Sequence, residues 1–139
     1  MTTTQSQFGT THNRGFHMTF NNGITISVQF GRGNYCSRRD GLAIVYDNRS
    51  DANTPIVVSK NAEIAIWHKD SDTWFSFDSR DWNDQVKGWV SVQEVAEWIS
   101  YIKHARDLNH LREMAILAGL YIEDEGPEVD SAENTEEDK

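Results

Sequence analysis

The residues with the densest chemical potential lie together in Gly31-Arg32-Gly33-Asn34-Tyr35-Cys36-Ser37-Arg38-Arg39. Two glycines let backbone N–H groups approach a ligand, and three arginines offer paired donors to phosphate or carboxylate. Tyr35 adds a ring able to stack on a base. Arg32, Asn34, Tyr35, Arg38 and Arg39 are therefore a candidate ligand- or partner-binding set. The alternative is a connecting loop whose arginines pair with the domain's own acids or with its acidic tail. A dinucleotide fingerprint does not fit: the third glycine is missing at its spacing, and the next element reads as a strand rather than a helix.

Other reactive groups are sparse. Cys36, with His17 or His68 as a base, would make a nucleophile only where a neighbour favours the thiolate. A lone cysteine beside a strand also reads as a small packed hydrophobe. It is the only cysteine, which excludes an intrachain disulfide and a four-cysteine zinc site. His104 and His110 are six apart, where zinc pairs on a helix sit four apart. Asp70-Ser71-Asp72 opens like a calcium loop, but Phe75 stands where that turn demands glycine. No catalytic residue, metal site or cofactor is assigned, and a non-enzymatic protein is expected. Trp82, in the polar stretch SRDWND, joins the candidate binding residues as an interface anchor or a lid folded onto the sheet.

Charge separates the chain into body and tail. Residues 121–139 hold nine acids against Lys139, whereas the first 120 residues carry thirteen acids and twelve bases. The tail cannot bury enough apolar surface to offset chain entropy and is expected to be disordered. It reads as a solvating tail, as an electrostatic arm for a basic protein, or as a phosphate mimic. General nucleic-acid binding is disfavoured, because it rests on a net basic surface. Arg14-Gly15-Phe16 opens like an RNA-recognition signature but diverges at His17. The N-terminal segment lacks the apolar core of a signal peptide, and no run reaches membrane-spanning length, so a cytoplasmic protein with no membrane partner is expected.

The elements that must position these groups follow from periodicity. Residues 1–13 read as a flexible polar lead-in. Phe16, Met18 and Phe20 then alternate with polar residues, as do Ile24, Ile26, Val28 and Phe30. A loop of Asn21, Asn22 and Gly23 pairs Phe20 with Ile24 and Met18 with Ile26, with Gly23 in the left-handed position. Leu42–Tyr46 reads as a central strand, 47–55 as a turn-rich connection and 56–58 as an extended piece. A second hairpin pairs Ile66 with Phe75 and Ile64 with Phe77 on one face, and Trp67 with Trp74 on the other. Residues 78–88 read as a loop.

Ser91-Val92-Gln93-Glu94 fits a capping box. Val92, Val95, Ala96, Ile99 and Ile102 form the apolar stripe of the helix that follows, with Glu94, Glu97 and Lys103 pointing away and Trp98 in the core. A second helix over about 108–118 turns Leu108, Leu111, Met114, Ala115 and Ala118 inward and stops at Gly119. Strands first and helices last predict one α+β domain over 14–120: an antiparallel sheet of about five strands, two helices on one face, and an acidic tail over 121–139. A polar second face and an uncovered sheet edge leave a homodimer open.

The segments NGITISVQFGRGNYC, SKNAEIAIW and VKGWVSVQEVAEWI resemble small accessory proteins encoded by tailed bacteriophages. Those proteins share an N-G-x-T-x-S-V-Q-aromatic-G-x-G-N-Y-C run, an A-E-x-A strand and a closing helix. The likeness covers residues 15–103 and implies a setting, a phage product in a host bacterial cytoplasm, with no catalytic residue carried over. The expected function is binding to a host or defence protein. The alternative is a small-molecule binder or sponge that holds a nucleotide-like anion on the 31–39 loop.

Overall fold

The computed structural model describes residues 5–11, 15–31, 34–36, 59–78 and 80–121. They form β1 (Gln7–Thr10), β2 (Gly15–Thr19), β3 (Ile24–Gln29), β4 (Asn61–His68), β5 (Thr73–Trp74), β6 (Lys87–Ser91), α1 (Val92–His104) and α2 (Leu108–Leu117). β1 to β4 lie side by side, all antiparallel. The far edge of β4 is shared: β5 pairs with its end at Trp67 and His68, and β6 with its beginning at Asn61, Ala62 and Ile64. The architecture is α+β, as expected, with both helices packed on one face.

The first hairpin has the register set by its alternation. Phe16 faces Val28 and Met18 faces Ile26. The Phe20 N–H donates to Ile24 O at 2.9 Å, and the Gly23 N–H to Phe20 O at 2.8 Å. Gly23 has φ +85°, the left-handed conformation that a side chain would resist. Asn22 uses the turn for something the sequence does not reveal. Its Nδ2 donates to Ile102 O and Ala105 O, both at 2.8 Å, closing two carbonyls at the C-terminal end of α1. Gly23 O also accepts the Lys69 N–H at 2.8 Å, which joins the turns of both hairpins.

The second hairpin keeps its register for only two pairs. Trp67 faces Trp74, and the Phe75 N–H donates to Ile66 O at 2.8 Å. The expected pairing of Ile64 with Phe77 is replaced: the Phe77 N–H turns to Asp84 O at 2.8 Å, and Ile64 faces Lys87 of β6. The chain thus leaves the sheet after Trp74 and returns as a strand where a loop is expected up to residue 88. Gln7–Thr10 likewise lies in the sheet, inside the stretch read as a flexible lead-in. Its Phe8 is 79% exposed, so backbone pairing with β2, not apolar burial, holds it there. The expected strand at 42–46, the pieces at 47–58 and residues 122–139 of the expected tail lie outside the described residues, whereas Tyr121, read as the first tail residue, is buried with its ring 5.7 Å from that of Phe75.

Ile24, Ile26, Ile64 and Ile66 are fully buried against Phe75, Phe77, Trp98, Ile102, Leu111 and Ala115. Ser91 caps α1 by accepting the Glu94 N–H at 3.1 Å. The reciprocal arm of the capping box is absent, because Glu94 Oε2 accepts from Trp98 Nε1 at 3.1 Å and pairs with Lys87 Nζ at 2.9 Å. Glu94 therefore ties the helix to β6 instead of pointing away. The inward stripe of α1 centres on Trp98 and Ile102, while Val92 and Ala96 are exposed. Trp98 takes the inward position expected of it. On α2, Leu111 and Ala115 are buried, Ala118 is exposed and Gly119 has φ +78°.

Candidate binding face

Alternation that sends isoleucines to the helices sends another set to the opposite face. β3 places Thr25, Ser27 and Gln29 there, and β4 places Glu63, Ala65 and Trp67, with Thr25 opposite Trp67 and Ser27 opposite Ala65. β2 adds His17, and β5 adds Trp74. The rings are in contact: Trp67 and Trp74 have centroids 4.7 Å apart, and His17 meets Trp67 edge-on at 5.2 Å and 84°. Burial holds the His17 pKa below its usual 6.5, because desolvation disfavours the imidazolium. A groove of about 320 Å³ opens on this face, lined by His17, Ser27, Glu63, Ala65, Trp67 and Trp74, among others.

The loop over residues 34–36 is fastened to one end of the groove. Asn34 is buried, and its side chain is fully engaged. Oδ1 accepts the Gly31 N–H at 3.0 Å, and Nδ2 donates to Glu63 Oε1 at 2.9 Å and Gln29 Oε1 at 3.3 Å. The other Glu63 oxygen accepts the Tyr35 N–H at 3.2 Å. Gln29 completes the chain by donating to Ser27 Oγ at 2.9 Å. Asn34, a candidate contact residue by sequence, instead positions the loop. Cys36 is buried, with Sγ 3.7 Å from Gly31 O, the packing expected of a small hydrophobe.

Tyr35 is 44% exposed and lies beside Trp89, their rings 5.6 Å apart. The Trp89 N–H donates to Tyr35 O at 2.8 Å. A Cβ at Gly88 would come within 2.6 Å of the Tyr35 Cβ, so only glycine allows this approach. Trp89 has φ +52° and sits in the register shift between β4 and β6. For a bulky side chain that conformation costs about 1–2 kcal/mol. The result is a tryptophan that is 56% exposed and fixed by its backbone. Its neighbour Val90 is buried on the helix side.

Trp82 occupies a separate place. Ser76 Oγ bonds to Asp78 O and Asp81 O at 2.9 and 2.8 Å. Arg80 grips Asp78 through Nε at 3.0 Å and NH2 at 2.9 Å, and these bonds hold the Asp78 carboxyl below its usual 3.8. Trp82 is 59% exposed, with the Arg112 guanidinium of α2 5.5 Å from its ring centre. Of the six candidate residues, the structure thus displays Tyr35 and Trp82, turns Asn34 inward, and leaves Arg32, Arg38 and Arg39 outside the described residues.

Sequence reasoning paired Trp67 with Trp74 but missed Glu63 and Trp89 as parts of one face. Glu63 shows no local signal, since its role depends on a loop almost thirty residues earlier. Among the described residues, no helix is long and apolar enough to cross a membrane, and no group of three or more histidine, cysteine or acidic side chains is placed to hold a metal ion. No known protein family, curated protein or solved structure matches the chain.

Proposed function

We propose that the chain is a non-enzymatic accessory binding protein that engages a host or defence protein in a bacterial cytoplasm, through the face bearing Trp74, Tyr35 and Trp89. The observation that carries this reading is Trp89, a large side chain kept exposed by a left-handed backbone and a close Gly88–Tyr35 approach. Backbone strain persists where the surroundings enforce it, and it gathers at functional positions. Displayed aromatic side chains are also the residues that anchor protein interfaces. The resemblance to phage accessory proteins supplies the cellular setting. Anion capture by the 31–39 loop finds less support, because the carboxylate of Glu63 lies directly beneath Asn34 and Tyr35.

Capture from bacterial lysate tests this reading with the full chain and a Trp89→Gly variant. The expected result is one saturable partner held by the wild type and weakened in the variant. Recovery of no saturable partner, or equal recovery by both proteins, overturns the reading.

A further inference from the structure

The groove on the binding face has a chemistry more specific than aromatic display. Its floor is made of small residues, Ser27 and Ala65, which leave room above the sheet. Trp67 and Trp74 stand together at one part of its wall, tilted 36° to each other, and Trp74 is 41% exposed. Glu63 supplies a carboxylate to the same groove. Among the described residues, each of its oxygens accepts one bond, from Asn34 or from the Tyr35 N–H. A carboxylate oxygen has two acceptor positions, so the anchored group retains acceptor capacity. No lysine or arginine stands among the described residues lining the groove.

We propose that this groove receives an arginine side chain from a basic segment of the protein partner, a refinement that rests on the partner-binding reading above. A guanidinium is flat, weakly hydrated and always charged, so it can lie on an indole face while donating to a carboxylate. The two tryptophans supply the faces and Glu63 supplies the counter-charge. Asn34 and the Tyr35 N–H hold that carboxylate in place before the ligand arrives, which reduces the ordering that binding would otherwise require. The first 120 residues carry thirteen acids and twelve bases, so Glu63 is the local counter-charge, and the nine acids of residues 121–139 add only a long-range attraction for a basic segment. The groove volume of about 320 Å³ suits one long side chain with its flanking backbone, not an extended domain.

The test uses the full chain labelled with 15N and a blocked pentapeptide carrying one central arginine. Five tryptophans give five indole N–H signals, assigned by Trp→Phe variants. The expected result is saturable movement of the Trp67 and Trp74 signals, with no comparable movement for the citrulline or glutamate peptide. Trp74→Ala, which leaves the Glu63 network intact, should weaken the arginine peptide roughly five- to tenfold. Glu63→Gln, which keeps an oxygen for Asn34, should weaken it by a similar factor.

Peptide binding that leaves both indoles still, as an encounter with the acidic tail would, overturns the proposal. So does equal binding of the citrulline peptide or unchanged affinity in Trp74→Ala. If the groove fails these tests while lysate capture still depends on Trp89, the arginine assignment falls and the partner reading stands. If capture fails as well, both fall.

Discussion

On the helix side of the sheet, Ile24, Ile26, Ile64 and Ile66 have no exposed surface and pack in the apolar core. The same two strands present Thr25, Ser27, Glu63, Ala65 and Trp67 on the opposite side, where side chains meet through directed bonds and ring contacts. The first face needs volume and apolarity, so many sequences would serve it. The second needs particular atoms: an amide for a carboxylate, a glycine beneath a tyrosine, a tryptophan in a left-handed conformation. One face makes the protein fold, and the other gives it something to recognise.

The largest break in that contrast comes from the helix side. Trp98→Ala removes a fully buried indole and its bond to Glu94, with an expected loss of about 3–5 kcal/mol in urea unfolding. Trp74→Ala, on the half-open face, should lose about 1 kcal/mol or less. Equal losses would erase the distinction between the two faces.

Asn34→Ala comes next. It leaves Glu63 without one of its donors and frees the Gly31 N–H, at an expected cost of about 1–3 kcal/mol. Faster amide exchange at Tyr35 and Trp89 should accompany the loss. Unchanged exchange there would show that the loop holds without Asn34.

Trp89→Gly sharpens the comparison differently. It relieves a left-handed backbone worth about 1–2 kcal/mol and gives up a ring contact with Tyr35 worth about 0.5–1.5 kcal/mol. Stability should therefore stay within about 1 kcal/mol of wild type in the same urea assay. A larger loss would make Trp89 a packing residue rather than a displayed one.

The smallest expected effect is a pH dependence. The folded chain holds His17 below its usual pKa of 6.5, so the unfolded chain takes up the proton first as pH falls. The stability contributed by neutral His17 is complete above 6.5 and declines as pH drops through 6.5 toward the lower folded value. Thermal midpoints compared at about pH 7.5 and about pH 5.5 should fall less in His17→Gln than in wild type. Identical falls would place the titration elsewhere.

Much of the helix side was legible in the sequence because it obeys short-range rules. Alternation gave the register of the first hairpin, Gly23 marked its turn, and Ser91 marked the start of α1. The opposite face was less legible because its parts are distant in the chain. Glu63 reads as an ordinary exposed strand residue until the loop of Asn34 and Tyr35 is laid over it. Nothing in Lys87–Ser91 announces that β6 borrows the edge β5 leaves vacant, since the reason is the bond from Phe77 to Asp84. The helix stripe differs from simple periodicity at Val92 and Ala96, which are exposed, while Trp98 and Ile102 are buried.

The turn at Asn21–Gly23 also constrains how the molecule can come apart. Asn22 closes carbonyls of α1 that lie eighty or more residues later, and Gly23 holds the neighbouring turn through Lys69. Fraying of the C-terminal end of α1 must release the first hairpin's turn, and opening either hairpin must disturb the other. That end of the protein should exchange its amide protons as one cooperative unit. The bonds from Asn22 to α1 also close a loop of about eighty residues, which carries the entropic cost of bringing distant parts of the chain together.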